Sequence, residues 1–478
     1  MKRLVAALLA SVLAWGATLL HAESLADIYE LALQNDAQLK AEQAQYLAAT
    51  ETEALSRAPL LPQVSTSYSY TDSDTDTKAE SRDFNEPNIP IVQTNTNRDT
   101  DTEGYAVSLN QAIFDLPAWF SFQSGKEISK QAEATFAGNQ QNLIVRVVEA
   151  YLNVLRAQDN LAASKAQERA FERQLEQSQQ RFEVGLIAIT DVFEAQAAFD
   201  LSRVNRIVDE NNVSVALEQL SVLTGQFPGT LNVLEEDMEL KLPDPLDRAA
   251  WVDFALGSNF SLQAARHQEE AARQIAKADR LEHAPKVSGG YEYSDFDTDG
   301  SLRIRPSTGL ETPPKSTVEQ SAWTIRVDLP LYSGGAISAQ RRQSAQEYNA
   351  ARENLINLTR NTVTNTRSLH MTVISDVSRV EARKKSIISS QSALDATQAG
   401  YEVGTRNVVD VLNAQNTLFV AQRDYSNSRY DYIINMMRLK EQAGLLSPED
   451  VYRLDTYLIP APPPSASGAA AATSTTTK

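Results

Sequence analysis

Four segments of the chain place aromatic and β-branched residues at every second position, with polar or small residues between them. The recurring positions are Val64, Thr66, Tyr68, Tyr70, Tyr105, Val107, Leu109, Val287, Gly289, Tyr291, Tyr293, Trp323, Ile325, Val327, Leu329 and Leu331. A period of two with these residue types is typical of β-strands. We therefore predict two β-hairpins, over residues 62–116 and 285–333, with polar loops at 73–103 and 298–318.

The remaining residues have the Ala- and Glu-rich composition and apolar spacing of helices. The helical segments are 24–58, 118–184 and 190–224 in the first half of the chain and 247–283, 336–403 and 408–443 in the second. At about 1.5 Å per residue, each long helix would span on the order of 100 Å. That length exceeds an ordinary globular helix and indicates an elongated architecture of helices packed side by side.

The return helix of each half repeats its apolar residues every seven positions. These residues are Val411, Leu418, Tyr425, Tyr432 and Leu439 in the second half, and Val192, Phe199, Val213 and Leu220 in the first, where Arg206 interrupts the series. This period predicts helices that pack side by side with a left-handed supercoil. An ordinary bundle core is the alternative, but the many small Ala and Ser positions favour a wide, thin-walled assembly.

The second half of the chain repeats the first at an offset of 218 to 223 residues. LPQVSTSYSYTDSDTD (61–76) aligns with APKVSGGYEYSDFDTD (284–299), and RFEVGLIAITDVFEAQ (181–196) aligns with the corner that contains YEVGTRNVVDVLNAQ (401–415). Because the elements recur in the same order, we predict two structural repeats, over residues 23–241 and 242–457.

The two ends of the chain are predicted to lie outside these repeats. A basic start and an apolar run from Leu4 to Leu20 predict a signal peptide over residues 1–22, cleaved after Ala22. No later apolar run is long enough for a spanning helix, so membrane contact would need a surface helix or strands closed into a barrel. Residues 458–478 are of low complexity and are predicted to be disordered.

Composition narrows the possible functions by exclusion. The formal charge is −18, and removal of Lys2 and Arg3 with the signal peptide makes it −20, which argues against nucleic acid as a partner. The four histidines form no metal-ligand cluster, and the absence of cysteine leaves packing or assembly to hold an exported chain together. Because the sequence also lacks the common catalytic and nucleotide-binding motifs, we predict no enzyme activity, no cofactor and no metal site.

The lengths of the predicted strands raise the question of whether they cross a membrane. Segments of about 10 to 14 residues can cross an outer membrane when tilted, but the smallest barrels need about eight strands. Either the four strands form a small soluble sheet, or several chains pool their strands into one barrel. The grouped aromatic residues and the long polar loops favour the barrel.

The order helix, hairpin, long helix, glycine corner and return helix, written twice, resembles the TolC family of outer-membrane channel proteins. The segments that carry the resemblance are GLIAITDVFEAQAAFD, ALEQLSVLTGQ, YEVGTRNVVDVLNAQ and NSRYDYIINMMRLKEQAGLLSPEDV. It implies an α+β membrane protein, a homotrimer whose four strands per chain form one 12-stranded β-barrel continued by a long α-helical coiled-coil barrel. The absence of an N-terminal cysteine for lipid attachment places the chain in the unlipidated branch.

The resemblance also implies location, partners and function. The chain is expected in the outer membrane of a Gram-negative bacterium, in contact with its lipid and with the helical part in the periplasm. It would be a passive exit duct for tripartite efflux pumps or type I protein secretion, driven by an inner-membrane pump that engages it through a periplasmic adaptor protein. A periplasmic coiled-coil adaptor or scaffold protein is the alternative.

The resemblance places a gate at the two corners between long and return helices. Gly185 and Gly404 suit helix ends, where a left-handed backbone costs glycine nothing. The family position of Asp410 lines the pore entrance, so three copies imply a carboxylate ring that favours cations. The family's second acidic position is Asn413 here, which predicts a weaker cation preference unless Glu194 of the first repeat compensates.

Four residues are expected to hold this entrance shut, and we call them the latch residues. Tyr401 and Arg406 match family residues whose polar links to the neighbouring corner imply Thr190 and Asp191 as partners. Arg406 could instead be a solvated cation near the carbonyls of the helix end. Asp191 could instead stabilise the helix dipole, an effect worth about 0.3 to 1 kcal/mol, with Thr190 as the candidate N-cap.

Overall fold

The computed structural model of the chain describes residues 23–81, 92–305 and 315–460. The helices are α1 Leu25–Asn35, α2 Ala37–Arg57, α3 Leu116–Glu183, α4 Ile189–Thr224, α5 Arg248–Ser258, α6 Phe260–Arg280, α7 Ala336–Glu402, α8 Val408–Gln442 and α9 Pro448–Asp455. The strands are β1 Gln63–Ser81, β2 Val92–Phe114, β3 Val233–Leu234, β4 Lys286–Arg305, β5 Ser316–Asp328 and β6 Leu458–Ile459. No helix in these ranges has an apolar run long enough to cross a membrane. The predicted signal peptide lies outside the described residues.

The long helices α3 and α7 have 68 and 67 residues, and their ends lie within two residues of the predicted positions. The prediction of one helix over 24–58 and one over 247–283 is wrong, because each stretch breaks in two. Asp36 and Asn259 adopt extended backbone at the breaks. Their side-chain oxygens accept hydrogen bonds from backbone N–H groups two residues on (3.1 Å) and three residues on (2.9 Å). Such caps compete with a continuous helix.

Of the described residues, 23–47, 133–264 and 356–460 form the first of two compact units. Its main core is an apolar cluster of helical side chains; the fully buried members include Leu25, Ile28, Leu143, Val147, Tyr151, Leu152, Leu220 and Leu439. A smaller corner cluster contains Phe171, Leu394, Tyr401, Val408, Val411, Leu412 and Leu418. The return helix α8 therefore contributes to both clusters, which fixes it along its length.

Two short strands complete the first unit. β3 pairs antiparallel with β6, so the prediction of disorder from residue 458 is wrong for Leu458 and Ile459; the Leu458 side chain is buried in the main core. The remainder of that predicted tail, from residue 461, lies outside the described residues. Nearby, the Leu25 N–H donates to Asp455 Oδ1 at 2.9 Å, which joins α1 to α9.

The second unit combines Ala48–Ala132 and Ala265–Leu355 and holds an antiparallel sheet of order β1-β2-β4-β5. One cross-strand row contains Val64, Leu109, Tyr291 and Trp323, which lie opposite one another in register. The Tyr291 and Trp323 ring centroids are 4.6 Å apart. Val64 and Trp323 are 71% and 80% exposed, so this apolar face is largely uncovered in the single chain.

The strands differ from the prediction at both ends of the sheet. Most of the predicted loops 73–103 and 298–318 is strand, since β1, β2 and β4 have 19, 23 and 20 residues. Polar cross-strand pairs stabilise these extensions, such as the Tyr70 hydroxyl donating to Asp101 at 2.6 Å. At the opposite end β5 stops at Asp328, short of the predicted 333, because Pro330 has no N–H for the ladder.

Candidate functional site at the two helix corners

The two corners are built by the same backbone motif. At the first, the Leu186 N–H donates to Arg181 O and the Gly185 N–H donates to Phe182 O, both at 2.9 Å. At the second, the N–H groups of Thr405 and Gly404 donate to carbonyls five and three residues earlier, at 2.8 and 3.1 Å. Both glycines have φ of +78°. This pattern satisfies the last helix carbonyls and needs a left-handed residue, which glycine adopts without strain.

The return helices differ in how they begin. Before α8, Asn407 Oδ1 accepts a hydrogen bond from the Asp410 N–H at 2.8 Å, and Asp410 Oδ2 accepts one from the Asn407 N–H at 3.4 Å. This reciprocal capping box secures the second corner. Before α4 the cap position is Ala188, without a side-chain hydrogen bond. The prediction of Thr190 as a cap is therefore wrong, since Ala188 takes the extended conformation two residues earlier.

Tyr401 is buried behind the second corner. It is 6% exposed and belongs to the corner cluster. The Arg181 guanidinium carbon lies 4.6 Å from the centroid of its ring. The hydroxyl is enclosed and has no hydrogen-bond partner within the described part of the chain. In one chain, therefore, Tyr401 is not hydrogen-bonded to Thr190 or Asp191.

The Arg406 side chain lies close to the start of α8 in its own chain. Its Nη1 lies 3.8 Å from Asp410 Oδ2, and both groups are exposed enough that the pair contributes little stability. The aliphatic part of the Arg406 side chain lies against Gly400, where an added Cβ would stand 2.9 Å from Arg406 Cγ. Among the described residues of one chain, no ion pair joins Arg406 to Asp191. The latch residues thus fall into two sets, one at each corner.

Four polar residues lie in the first two turns of the return helices, at matching positions. Asp191 and Asp410 are half-buried, whereas Glu194 and Asn413 are exposed. Residues three apart share one helix face, so each corner presents a pair on one side of its helix. No three His, Cys, Asp or Glu side chains in the described ranges are grouped to hold a metal ion. The arrangement is suited to electrostatic selection and to polar links between corners.

Sequence reasoning missed Asn407 and Arg181. Asn407 had a local signal, since Asn-x-x-Asp before an apolar run is a capping pattern. Arg181 had none, because its contact with Tyr401 joins residues more than two hundred positions apart. The matching position in the second half is Gly400, so only the first corner carries this cation.

Comparisons with known proteins cover nearly the whole chain. The model of the family "outer membrane efflux protein" matches residues 28–226 and 251–445. The outer membrane protein TolC of Vibrio cholerae is 34% identical over 455 residues, 94% of this chain and 97% of that protein. The alkaline protease secretion protein AprF of Pseudomonas aeruginosa is 30% identical, over 89% of this chain and 85% of that protein. The crystal structure of the outer membrane protein VceC of Vibrio cholerae superposes with a TM-score of 0.69 at 17% identity, over 88% and 96% of the two chains.

Proposed function

The chain belongs to the outer membrane efflux protein family, and from this premise we propose how it works. It is an outer-membrane channel for efflux and protein secretion, not an enzyme. It serves as a passive exit duct of tripartite efflux pumps and type I secretion systems. An inner-membrane pump drives it, and a periplasmic adaptor protein connects the two at the periplasmic tip. The relatives do not favour the alternative of a periplasmic adaptor or scaffold.

The uncovered apolar face of the sheet is the observation that carries this proposal. Its row of Val64, Leu109, Tyr291 and Trp323 runs across all four strands, and the outer edges of β1 and β5 have no partner strand among the described residues. An apolar face suits lipid, but open edges in lipid are prohibitively costly. Three copies supply twelve strands, which close the edges in one barrel with this face toward the membrane.

A second uncovered surface supports the trimer, and we call it the α4 stripe. It consists of Leu201, Val208, Val215 and Val222, which recur every seven residues and are 46% to 75% exposed. A seven-residue apolar repeat needs a partner helix to cover it. A second copy of the chain supplies that helix, which extends the coiled-coil packing from one chain to the next around a helical barrel.

Two internal repeats underlie this architecture. The family model matches the chain twice, over 28–226 and 251–445. Both halves have a long helix, a glycine corner with the same hydrogen bonds, and a return helix. Three copies of two repeats give a ring of six similar corners, in which the first and second corners alternate.

The return-helix carboxylates act as the constriction at the periplasmic tip. Asp410 from three copies forms the cation-favouring ring. Asn413 stands one turn further and carries no charge, which weakens cation preference and block by multivalent cations. Glu194 is exposed at the matching position of the first corner and contributes charge there where its side chain reaches the pore.

The latch residues act between neighbouring corners. Arg406 is exposed, and the ion pair that it makes within the described part of its own chain is long; Asp191 has no described hydrogen bond to its carboxylate. Both groups are therefore able to pair with an adjacent copy. An Arg–carboxylate link is charge-assisted and stronger than a neutral hydrogen bond. Links of Arg406, and of Tyr401 when its hydroxyl turns outward, to Thr190 and Asp191 hold the entrance narrow.

Reconstitution in planar lipid bilayers tests the channel and the latch together. The wild-type protein, extracted from outer membranes as a heat-modifiable trimer, should show a low single-channel conductance. Arg406→Ala and Asp191→Ala should each raise this conductance, because each removes one side of the link. Arg367→Ala removes an exposed arginine from the long helix α7, far from the second corner in which α7 ends, and should leave conductance unchanged.

Two results would contradict these proposals separately. Unchanged conductance in both latch variants would exclude the latch and leave the channel intact. A protein released from the periplasm without detergent, as a soluble species that never conducts, would overturn the channel itself.

A further inference from the structure

Arg181 and Tyr401 join the two corners of one chain through their side chains. Arg181 lies in the last turn of α3 and Tyr401 in the last turn of α7. The guanidinium carbon is 4.6 Å from the ring centroid, a cation–π distance. Arg181 makes no ion pair or hydrogen bond with its guanidinium in the described part of the chain. The guanidinium charge therefore faces the tyrosine ring.

The same two residues hold the corner turns through their backbones. The Arg181 carbonyl accepts the hydrogen bond from Leu186 at the first corner, and the Tyr401 carbonyl accepts the one from Gly404 at the second. A displacement of either turn therefore moves one member of the stacked pair. Each partner occurs at one corner only, since Gly400 and Phe182 occupy the matching positions.

The ring of Tyr401, rather than its hydroxyl, makes the contacts in this structure. The ring packs among Val408, Val411 and the other members of the corner cluster. The hydroxyl is enclosed without a partner, a condition that costs stability. Arg181 covers the ring while the hydroxyl is unsatisfied, so the contact with Arg181 helps to retain the inward position.

We propose that Arg181 is a positioning residue of the gate, which stacks on Tyr401 and makes the two corners of each chain move as one body. This inference rests on the proposed gate and adds a contact within the chain to the latch between chains. Loss of the stacking lets the second corner move without the first. The entrance then opens more often even though every latch residue is present.

Single-channel recording on the full-length trimer tests this inference. Arg181→Gln removes the charge, and Tyr401→Leu removes the aromatic face. Each should shift the ratio of open to closed states by roughly two- to fivefold toward open, the range expected for one partly exposed cation–π contact. The double variant should open no more than Tyr401→Leu alone, because both changes remove the same stacking contact. Tyr401→Phe keeps the ring and removes only the latch hydroxyl, so it should open the channel less than Tyr401→Leu, which loses both.

The controls separate this contact from charge and from the latch. Arg173→Gln removes an exposed arginine two turns earlier on the same helix and should have no effect. If Tyr401→Phe opens the channel as much as Tyr401→Leu, the hydroxyl is the operative group and the proposal is wrong. Wild-type behaviour of Arg181→Gln also overturns it.

Arg406→Ala in the same assay shows which hypothesis has failed. If Arg181→Gln behaves like the wild type but Arg406→Ala opens the channel, only the role of Arg181 is wrong. If no corner variant changes the open fraction, the gate itself is rejected. The two Tyr401 variants decide the point should Arg181→Gln not assemble.

Discussion

At the scale of single residues, the contact between Tyr430 and Asp159 shows how one hydroxyl stabilises a buried acid. The Tyr430 hydroxyl donates to Asp159 Oδ2 at 2.8 Å. Burial raises the pKa of Asp159, and the hydrogen bonds from Tyr430 and Ser426 and the charge of Arg429 partly oppose that rise. Because the folded pKa lies above the unfolded value, the ionised carboxylate costs stability at neutral pH, and this cost decreases as the pH falls.

Tyr430→Phe should destabilise the helical unit by about 1 to 3 kcal/mol, since it removes one of the two side-chain hydrogen bonds of a largely buried carboxylate and leaves the one from Ser426. The loss should become smaller as the pH falls from neutral through the raised pKa of Asp159, because protonation of the carboxylate removes the charge that needs the donor. Thermal unfolding followed by circular dichroism measures both values. Tyr425→Phe, on the same helix, removes a hydroxyl without a described hydrogen bond and should have little effect. A loss that does not depend on pH would contradict this account of Asp159.

The corner glycines could be predicted from the sequence, but the environment of Tyr401 could not. Glycine after a long helical pattern is a local signal, because a left-handed helix end favours that residue. The burial of Tyr401 depends on Val408 and Val411, which pack on it only after the return helix has folded back. Its contact with Arg181 depends further on how the helix pair α3–α4 packs against the helix pair α7–α8. A family resemblance indicates which position matters, but not which atoms of the side chain are in contact.

At the scale of elements, substitutions at Gly404 and Gly257 distinguish the effect of backbone strain from that of steric crowding. A Cβ would meet no atom within 4 Å at either position, but only Gly404 has a positive φ. Gly404→Ala should therefore destabilise the corner by about 1 to 2 kcal/mol through backbone strain alone. Gly257→Ala, inside α5, should be neutral or stabilising by up to about 1 kcal/mol. Thermal unfolding of the two variants tests the contrast, and equal effects would show that φ is not the cause.

The lengths of the elements followed from the sequence more closely for helices than for strands. The ends of α3 and α7 were predictable because helical periodicity stops where the glycine corners begin. The polar ends of β1 and β2 were not, because Asp, Thr and Asn have low strand propensity. Their pairing comes from the register set by the apolar row below them and from cross-strand bonds such as Tyr70 to Asp101. Tertiary pairing thus overrode local preference.

At the scale of the whole molecule, the α4 stripe predicts how assembly responds to charge. Val208→Lys should abolish or strongly weaken the proposed trimer, because an unpaired ammonium in an apolar helix interface is costly to desolvate. Ser214→Lys adds the same charge at an exposed position of the same helix that lies about 100° around the helix from the stripe, and it should leave assembly intact. Light scattering of the detergent-solubilised proteins measures the mass of each. A trimeric Val208→Lys variant would exclude this stripe from the interface between chains.

The joining of α1 to α9 also constrains when the protein can fold. The hydrogen bond from Leu25 to Asp455 spans 430 positions, and contacts of such separation form late because the intervening chain must first be ordered. A chain that crosses the inner membrane from its N-terminus would present the apolar side of α1 long before α9 arrives. Export and folding are thereby separated in time, because the apolar side of α1 stays uncovered until the last helix has been delivered.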